Sequence, residues 1–159
     1  MIKDFEIRVA QKEDMPRVLE LIKELAAHEN SIEEVKIEVK DLEKEGFEHC
    51  NFTCFVAEAN GKIEGMALVY FKFSSRKGRV GYLEDLVVNE SFRGYGLGKA
   101  LFHRVIEFGK ENGVKNMEWV VSKSNRNAIK FYKNSGADIK TNRYTVYMDE
   151  IMLRNNSRK

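Results

Sequence analysis

The chain has 159 residues, of which 43% are hydrophobic and 33% charged, and its formal net charge at pH 7 is +2. This length and composition predict one globular domain, residues 1–159, and argue against intrinsic disorder. The balanced charge argues against a dedicated nucleic-acid binder. The longest wholly apolar run, residues 66–71, is too short to cross a membrane, and the N-terminus lacks the apolar core of a signal peptide. We therefore expect a cytoplasmic protein.

The first third of the chain predicts one strand and two helices. Residues 5–9 alternate apolar and polar side chains, which is typical of a strand. Asp14 is a candidate N-cap for a helix whose apolar residues recur at helical spacing. Ser31 opens an S-x-x-E capping-box pattern, which predicts a second helix over residues 32–46 on the protein surface.

The rest of the chain predicts three strands followed by alternating helices and strands. The strands are expected over residues 52–59, 63–73 and 79–88, and Asn60-Gly61 between the first two is a strong hairpin signal. A helix is then expected over 96–111, a strand over 116–121, a helix over 124–134 and a strand over 144–148, with residues 154–159 frayed. This order predicts an α/β domain on a mixed sheet with a parallel pair near its end.

The run Arg93-Gly94-Tyr95-Gly96-Leu97-Gly98-Lys99 lies between a predicted strand and a predicted helix. Its alternate glycines let backbone N–H groups approach a ligand closely, and the helix start adds partial positive charge, which suits a phosphate or pyrophosphate. The glycine spacing differs from that of the dinucleotide fingerprint and of the nucleoside-triphosphate loop. On spacing alone, a plain glycine-rich turn is the alternative.

Two further segments carry side chains suited to chemistry. Glu84 and Asp85 are adjacent carboxylates in an otherwise apolar strand, and strand alternation predicts that they face opposite sides of the sheet rather than forming a dyad. A carboxylate there is a candidate to grip a cation or relay a proton, and an edge strand with solvated charges is the alternative. Tyr132 follows an Asn-rich helix start, where packing is the commoner role of a single tyrosine.

Together these segments resemble the GNAT superfamily of N-acetyltransferases. R-G-Y-G-L-G fits its R-x-x-G-x-G pyrophosphate motif, and N-x-x-A-x-x-F-Y follows in the expected order. The segments I-K-E-L-A-x-x-E (22–29), D-L-x-x-x-G-F (41–47), Y-L-E-D (82–85) and N-x-x-A-I-x-F-Y-K (125–133) are similar to the spermidine/spermine (diamine) N-acetyltransferase group. The resemblance implies a GNAT-like mixed, mostly antiparallel sheet with a splayed parallel strand pair and flanking helices.

The resemblance also implies acetyl-CoA as the donor, no metal, and roles for individual residues. Tyr132 would be the general acid that protonates the leaving thiolate, and Glu84 would take the ammonium or its proton. His28, Glu29 and Asp85 would line the acceptor pocket with Glu84. Contacts to acetyl-CoA would come from Leu86, Val87 and Val88, from Arg93, Gly94, Tyr95, Gly96, Leu97, Gly98 and Lys99, and from Asn125, Arg126, Asn127 and Ala128.

The implied function is transfer of an acetyl group to a primary amine of a small molecule by a homodimer, with no nucleic-acid or membrane partner. Arg76 and Lys77 stand in the turn where polyamine-acetylating members carry an acidic residue, and this turn looks more like that of the thialysine-acetylating branch. A lysine-like amino acid is therefore the expected acceptor, with a diamine or polyamine as the alternative. A protein or peptide amine acetyltransferase and a non-catalytic CoA-binding module are further alternatives.

Overall fold

A computed structural model describes residues 4–156. The chain divides into two compact units, Met1–Ser122 and Lys123–Lys159. Within the described residues, no helix has the length and apolar character that crossing a membrane requires.

The first unit is built on a five-stranded sheet whose strands lie side by side in chain order. The strands are β1 (Phe5–Val9), β2 (Thr53–Ala59), β3 (Lys62–Ser74), β4 (Gly78–Val88) and β5 (Met117–Glu118). Neighbouring strands pair antiparallel, except β4 and β5, which are parallel. The predicted mixed, mostly antiparallel sheet with one parallel pair is confirmed.

Helices flank this sheet and supply much of its buried surface. They are α1 (Met15–His28), α2 (Val39–Glu43) and α3 (Leu97–Glu111). Apolar residues three or four positions apart place Val18 and Leu21 on the buried face of α1, and Leu97, Leu101 and Val105 on that of α3. α1 packs against β3 and β4, and α3 packs against β2, β3 and β4.

The hairpin between β2 and β3 is confirmed where the sequence predicted it. Asn60 and Gly61 both have positive φ, 53° and 72°, and β2 and β3 pair antiparallel on either side of them. This is the backbone geometry that matches the right-handed twist of the flanking strands.

One expectation for the first third is wrong, and another holds only in part. Residues 32–46 do not form one helix but a 3₁₀ turn, the short α2 and a π turn, and the Ser31 hydroxyl donates to the Ala26 carbonyl instead of capping. Asp14 is the N-cap residue of α1, as expected, but its carboxylate accepts hydrogen bonds from the Gln11 amide and the Arg8 guanidinium, both at 2.7 Å, and makes no capping bond to the helix. In both places a nearby group that precedes the residue in the chain takes the hydrogen bond expected for the cap.

The second unit contains α4 (Arg126–Asn134) and α5 (Glu150–Asn156). The strand expected over 144–148 is wrong: among the described residues no strand pairs with it, and a lone strand leaves its backbone groups without partners. The tail expected to fray is helical as far as Asn156, and residues 157–159 lie outside the described residues. In the first unit, the strand expected over 116–121 shortens to the two residues of β5.

Candidate active site

The start of α3 presents backbone donors. Gly96 precedes the helix at φ +92° and Gly94 lies at φ +84°, in the left-handed region that favours glycine. The Ala100 amide donates to the Gly96 carbonyl at 3.0 Å, so the amides of the first helical turn before Ala100 have no partner within the helix. A Cβ at Gly94 or Gly96 would meet no atom within 4 Å. The open turn and the positive end of the helix dipole therefore fit an anionic pyrophosphate.

The turn that leads to this helix is anchored to the sheet. The Asn89 side chain accepts from the Ser91 amide at 3.0 Å, and the Asn89 amide donates to the Glu64 carbonyl at 2.8 Å. Arg93 Nε donates to the Val88 carbonyl at 3.1 Å. These contacts hold the predicted phosphate-binding run at the end of β4.

One edge of β4 is left open by the shortness of β5. The two strands pair only at Gly81–Met117 and Tyr82–Glu118. From Leu83 to Val88, β4 therefore has no neighbouring strand on that side among the described residues. Leu86, Val87 and Val88 lie at the far end of this open edge, where an extended ligand can bond to backbone groups as a strand would.

A β-bulge brings Glu84 and Asp85 to one cavity. In the β3–β4 register Leu83 lies opposite Val69 and Asp85 opposite Leu68, so Glu84 is an extra residue in β4. The extra residue interrupts the alternation of side chains, and both carboxylates line the same cavity. The prediction that they face opposite sides of the sheet is therefore wrong.

This cavity has a volume of about 640 Å³ and is strongly acidic. Acidic side chains line it: Glu29, Glu34, Asp41, Glu45, Glu84 and Asp85. Within the described part of the chain, its one basic side chain is Lys36. Its apolar wall includes Ile22, Leu25, Val35, Leu42, Phe52 and Leu68. Glu29 lines this cavity together with Glu84 and Asp85, whereas His28 is exposed on α1 and is not among the described lining residues. Sequence reasoning missed Lys36 and the acids of 31–45, because that segment read as a surface helix.

The carboxylates of the cavity repel one another. Burial, and then the negative charges of Glu84 and Glu29, raise the pKa of Asp85 to about 6. Burial and the charge of Glu84 also raise the pKa of the half-buried Tyr70 phenol, which lines the same cavity. A bound cation reduces the repulsion between these carboxylates and favours their ionised form.

The positive charges of the β3–β4 turn are directed elsewhere. Lys77 Nζ lies 3.1 Å from Glu118 Oε1, and Lys72 Nζ lies 2.8 Å from Glu118 Oε2. Hydrogen bonds from these two lysines lower the pKa of Glu118 to about 2. Neither Arg76 nor Lys77, on which the expected preference for a lysine-like acceptor rested, lines the acidic cavity.

The second unit carries the other predicted residues. The Asn125 side chain accepts from the Ala128 amide at 3.1 Å and caps α4, with Arg126 and Asn127 exposed in its first turn. Tyr132 is 8% exposed and packs edge-on against Phe131, with 5.4 Å between ring centroids. The segment therefore forms a capped helix with a buried phenol.

The two cysteines differ in environment. Cys54 is buried in β2, where burial raises the pKa of its thiol to about 12, and Cys50 is exposed. Within residues 4–156 we find no group of three or more His, Cys, Asp or Glu side chains arranged to hold a metal ion.

Comparison with known proteins adds relatives of named activity. The sequence profile of the Acetyltransferase (GNAT) family matches residues 16–137. Human spermidine/spermine N(1)-acetyltransferase-like protein 1 is 36% identical over 141 residues, which is 84% of this chain and 20% of that longer protein. Thialysine N-epsilon-acetyltransferase of Bos taurus is 36% identical over 140 residues, 82% of each chain. A solved aminoglycoside N-acetyltransferase in complex with CoA has a TM-score of 0.72 at 23% identity, over 92% of this chain and 95% of that one.

Proposed function

Because the chain belongs to the GNAT family and is an acetyl-CoA-dependent N-acetyltransferase, we propose that its acceptor is a primary amine of a small cationic molecule. Lysine-like amino acids, diamines and polyamines form this class. The main support for the proposal is the acidic cavity at the β4 bulge, which is lined by both carboxylates and apolar side chains. An alkylammonium matches both, because its charge suits the carboxylates and its methylene chain suits the wall.

The proposed donor site follows the open edge of β4 and the start of α3. Leu86, Val87 and Val88 offer backbone groups to the extended arm of acetyl-CoA, and the amides from Gly94 to Lys99, with Arg93, hold its pyrophosphate. Asn125, Arg126, Asn127 and Ala128 are assigned further contacts to CoA. Bound acetyl-CoA supplies an activated thioester, and the chain contributes orientation and proton transfer.

The proposed chemistry divides between two proton-transfer groups. An alkylammonium has a pKa of about 10.4 and is not a nucleophile until it loses a proton. Asp85 and Glu29 hold the ammonium as it binds, and Glu84 then takes its proton, directly or through water. The neutral amine attacks the thioester carbonyl carbon, and the C–S bond breaks when the tetrahedral adduct collapses to the amide. The bulge interrupts the regular hydrogen bonds between β3 and β4. A backbone N–H group of β4 at this point is suited to stabilise the negative charge that develops on the thioester carbonyl oxygen. Tyr132 gives a proton to the departing thiolate.

We further propose that the enzyme is a homodimer. Residues 144–153 of the second unit expose a run of apolar side chains, of which Tyr144 is 96% and Val146 91% exposed. Tyr147, Ile151 and Leu153 continue the run. A concentration of exposed apolar side chains is typical of a protein–protein contact, and a second copy of the chain is the proposed partner.

The proposal is tested by following CoA thiol release from acetyl-CoA across a panel of lysine, putrescine, spermidine and a lysine-containing peptide. We expect free amines to be used with a much higher kcat/KM than the peptide, and Glu84→Gln to lower that value. Glu107→Gln, an exposed carboxylate on α3, is the matched control. A peptide preferred over every free amine would move the function to protein acetylation.

A further inference from the structure

Lys36 is the single basic side chain that lines the acidic cavity within the described part of the chain. It belongs to the extended stretch between the Ile32–Glu34 turn and α2. Among the described residues it has no ion-pair partner, whereas nearby Lys40 on α2 pairs with Glu38 at 2.8 Å. Lys36 therefore brings an uncommitted positive charge to a cavity that otherwise suits cations.

Two acids of the same segment are already engaged in local hydrogen bonds. Asp41 Oδ2 accepts from the Glu38 amide at 2.7 Å. Glu45 accepts from the Asn51 side-chain amide and lies 3.1 Å from His49 Nδ1. The local structure of the segment thus uses these two carboxylates, and Lys36 forms no ion pair with them or with Glu34, the third acid of the segment that lines the cavity.

The carboxylates of the bulge form a separate group within the cavity. Glu84 and Asp85 are neighbours at the bulge of β4, and burial and the negative charges of Glu84 and Glu29 raise the pKa of Asp85. Lys36 comes from a different part of the cavity wall, residues 31–45, which also contribute Glu34, Asp41 and Glu45. The cavity therefore has an acidic group at the bulge and a basic side chain, Lys36, on the segment around α2. Its volume of about 640 Å³ lies in the range of small-molecule sites, so one ligand can span both.

We infer that Lys36 binds the carboxylate of an amino-acid acceptor whose distal ammonium lies among Glu29, Glu84 and Asp85. The inference rests on the proposed function and assigns a specificity-determining residue within it. A carboxylate gains a charged partner at Lys36, whereas a second ammonium placed there would be repelled. The enzyme would then favour lysine-like amino acids over diamines of the same length.

The test compares lysine with cadaverine, which has the same diamine chain without the carboxylate. Binding of each to the full chain is measured by isothermal titration calorimetry, and kcat/KM is measured with acetyl-CoA. Lys36→Met is expected to weaken lysine binding about fivefold, the upper range for an exposed ion pair, and to strengthen cadaverine binding. If the substitution unfolds a fraction of the protein, the apparent affinities for lysine and cadaverine fall by the same factor, so their ratio does not change.

Lys40→Met is the matched control, because Lys40 is exposed on the neighbouring α2 and does not line the cavity. It is expected to leave the lysine-to-cadaverine affinity ratio at the wild-type value. The same unchanged ratio in Lys36→Met would overturn the inference. Since binding is measured without turnover, a protein that binds lysine through Lys36 but never acetylates it would support this inference and contradict the proposed function.

Discussion

The Asp85 carboxyl group shows how single residues set the chemistry of the cavity. It lies beside the bulged Glu84, and burial and like charge both oppose its ionisation. A bound ammonium lowers the free energy of ionising Asp85, because it places a positive charge beside the carboxylate. The residue is thus poorly suited to stability and well suited to amine binding.

We predict that Asp85→Asn stabilises the fold at high pH while weakening amine binding. Below its ordinary pKa of 3.8 the carboxyl is protonated whether folded or unfolded, and between that value and about 6 only the folded protein holds the proton. Stability therefore falls as pH rises through this window, and above it the full cost is present. The variant should gain about 1–3 kcal/mol in the free energy of unfolding at about pH 8, and little at about pH 4.

Urea unfolding at the two pH values measures this difference. Glu107→Gln, an exposed carboxylate on α3, serves as the control and should show no such gain at high pH. A gain for Asp85→Asn that is equal at both pH values, or larger at low pH, would show that Asp85 ionises freely in the folded protein.

We predict that Tyr132→Phe keeps CoA affinity but lowers kcat by about 10²–10⁴, the usual contribution of one general acid. Steady-state turnover and CoA titration measure the two quantities. Tyr144→Phe removes a hydroxyl from the proposed dimer surface but keeps the aromatic ring that would pack there, and it should behave as wild type. If Tyr132→Phe also turns over like wild type, the buried phenol is only a packing residue.

Among the elements, the turn into α3 owes its shape to glycine backbone freedom. Gly96 has room for a side chain but a φ of +92° that other residues adopt only with strain. The glycine is therefore required by conformation, and that conformation presents the first-turn amides of α3 to a ligand.

We predict that Gly96→Val raises the dissociation constant for CoA at least about tenfold, since it disturbs hydrogen bonds to a charged ligand. Gly61→Val is the matched control, because Gly61 has a φ of +72° in the β2–β3 hairpin and equally meets no atom within 4 Å. Both variants should lose similar thermal stability, and only Gly96→Val should lose CoA affinity. Equal CoA affinity in the two variants would contradict a donor site at this turn.

Elements set by local signals could be predicted from the sequence. Alternation and Asn60-Gly61 indicated the antiparallel strands, and the apolar spacing indicated α1 and α3. The bulge at Glu84 could not be predicted, because it depends on the register of β4 against β3. Residues 31–45 carry a capping pattern but line a cavity, and packing against distant residues divides the segment into short turns. The length of β5 and the irregular backbone at 144–148 could not be predicted either, because strand formation depends on hydrogen bonds to segments that are distant in the sequence.

At the scale of the whole molecule, the exposed apolar run at 144–153 predicts a dimer. Light scattering after size-exclusion chromatography should give about twice the chain mass of 18.5 kDa. Tyr147→Asp should shift the protein towards the monomer, because a buried charge without a partner is costly at an interface. Phe73→Asp, at a side chain 82% exposed in β3, is the control and should leave the mass unchanged. A wild-type monomer at micromolar concentration would contradict the proposed dimer.

In the proposed reaction the acetyl group passes from acetyl-CoA to a small amine. Mass spectrometry of a single turnover, with enzyme in excess over acetyl-CoA and lysine or spermidine present, follows this transfer. We predict one acetylated amine for each CoA released and no acetyl group left on the protein. Release of CoA with acetate as the only acetyl product, or no release with any amine, would contradict it.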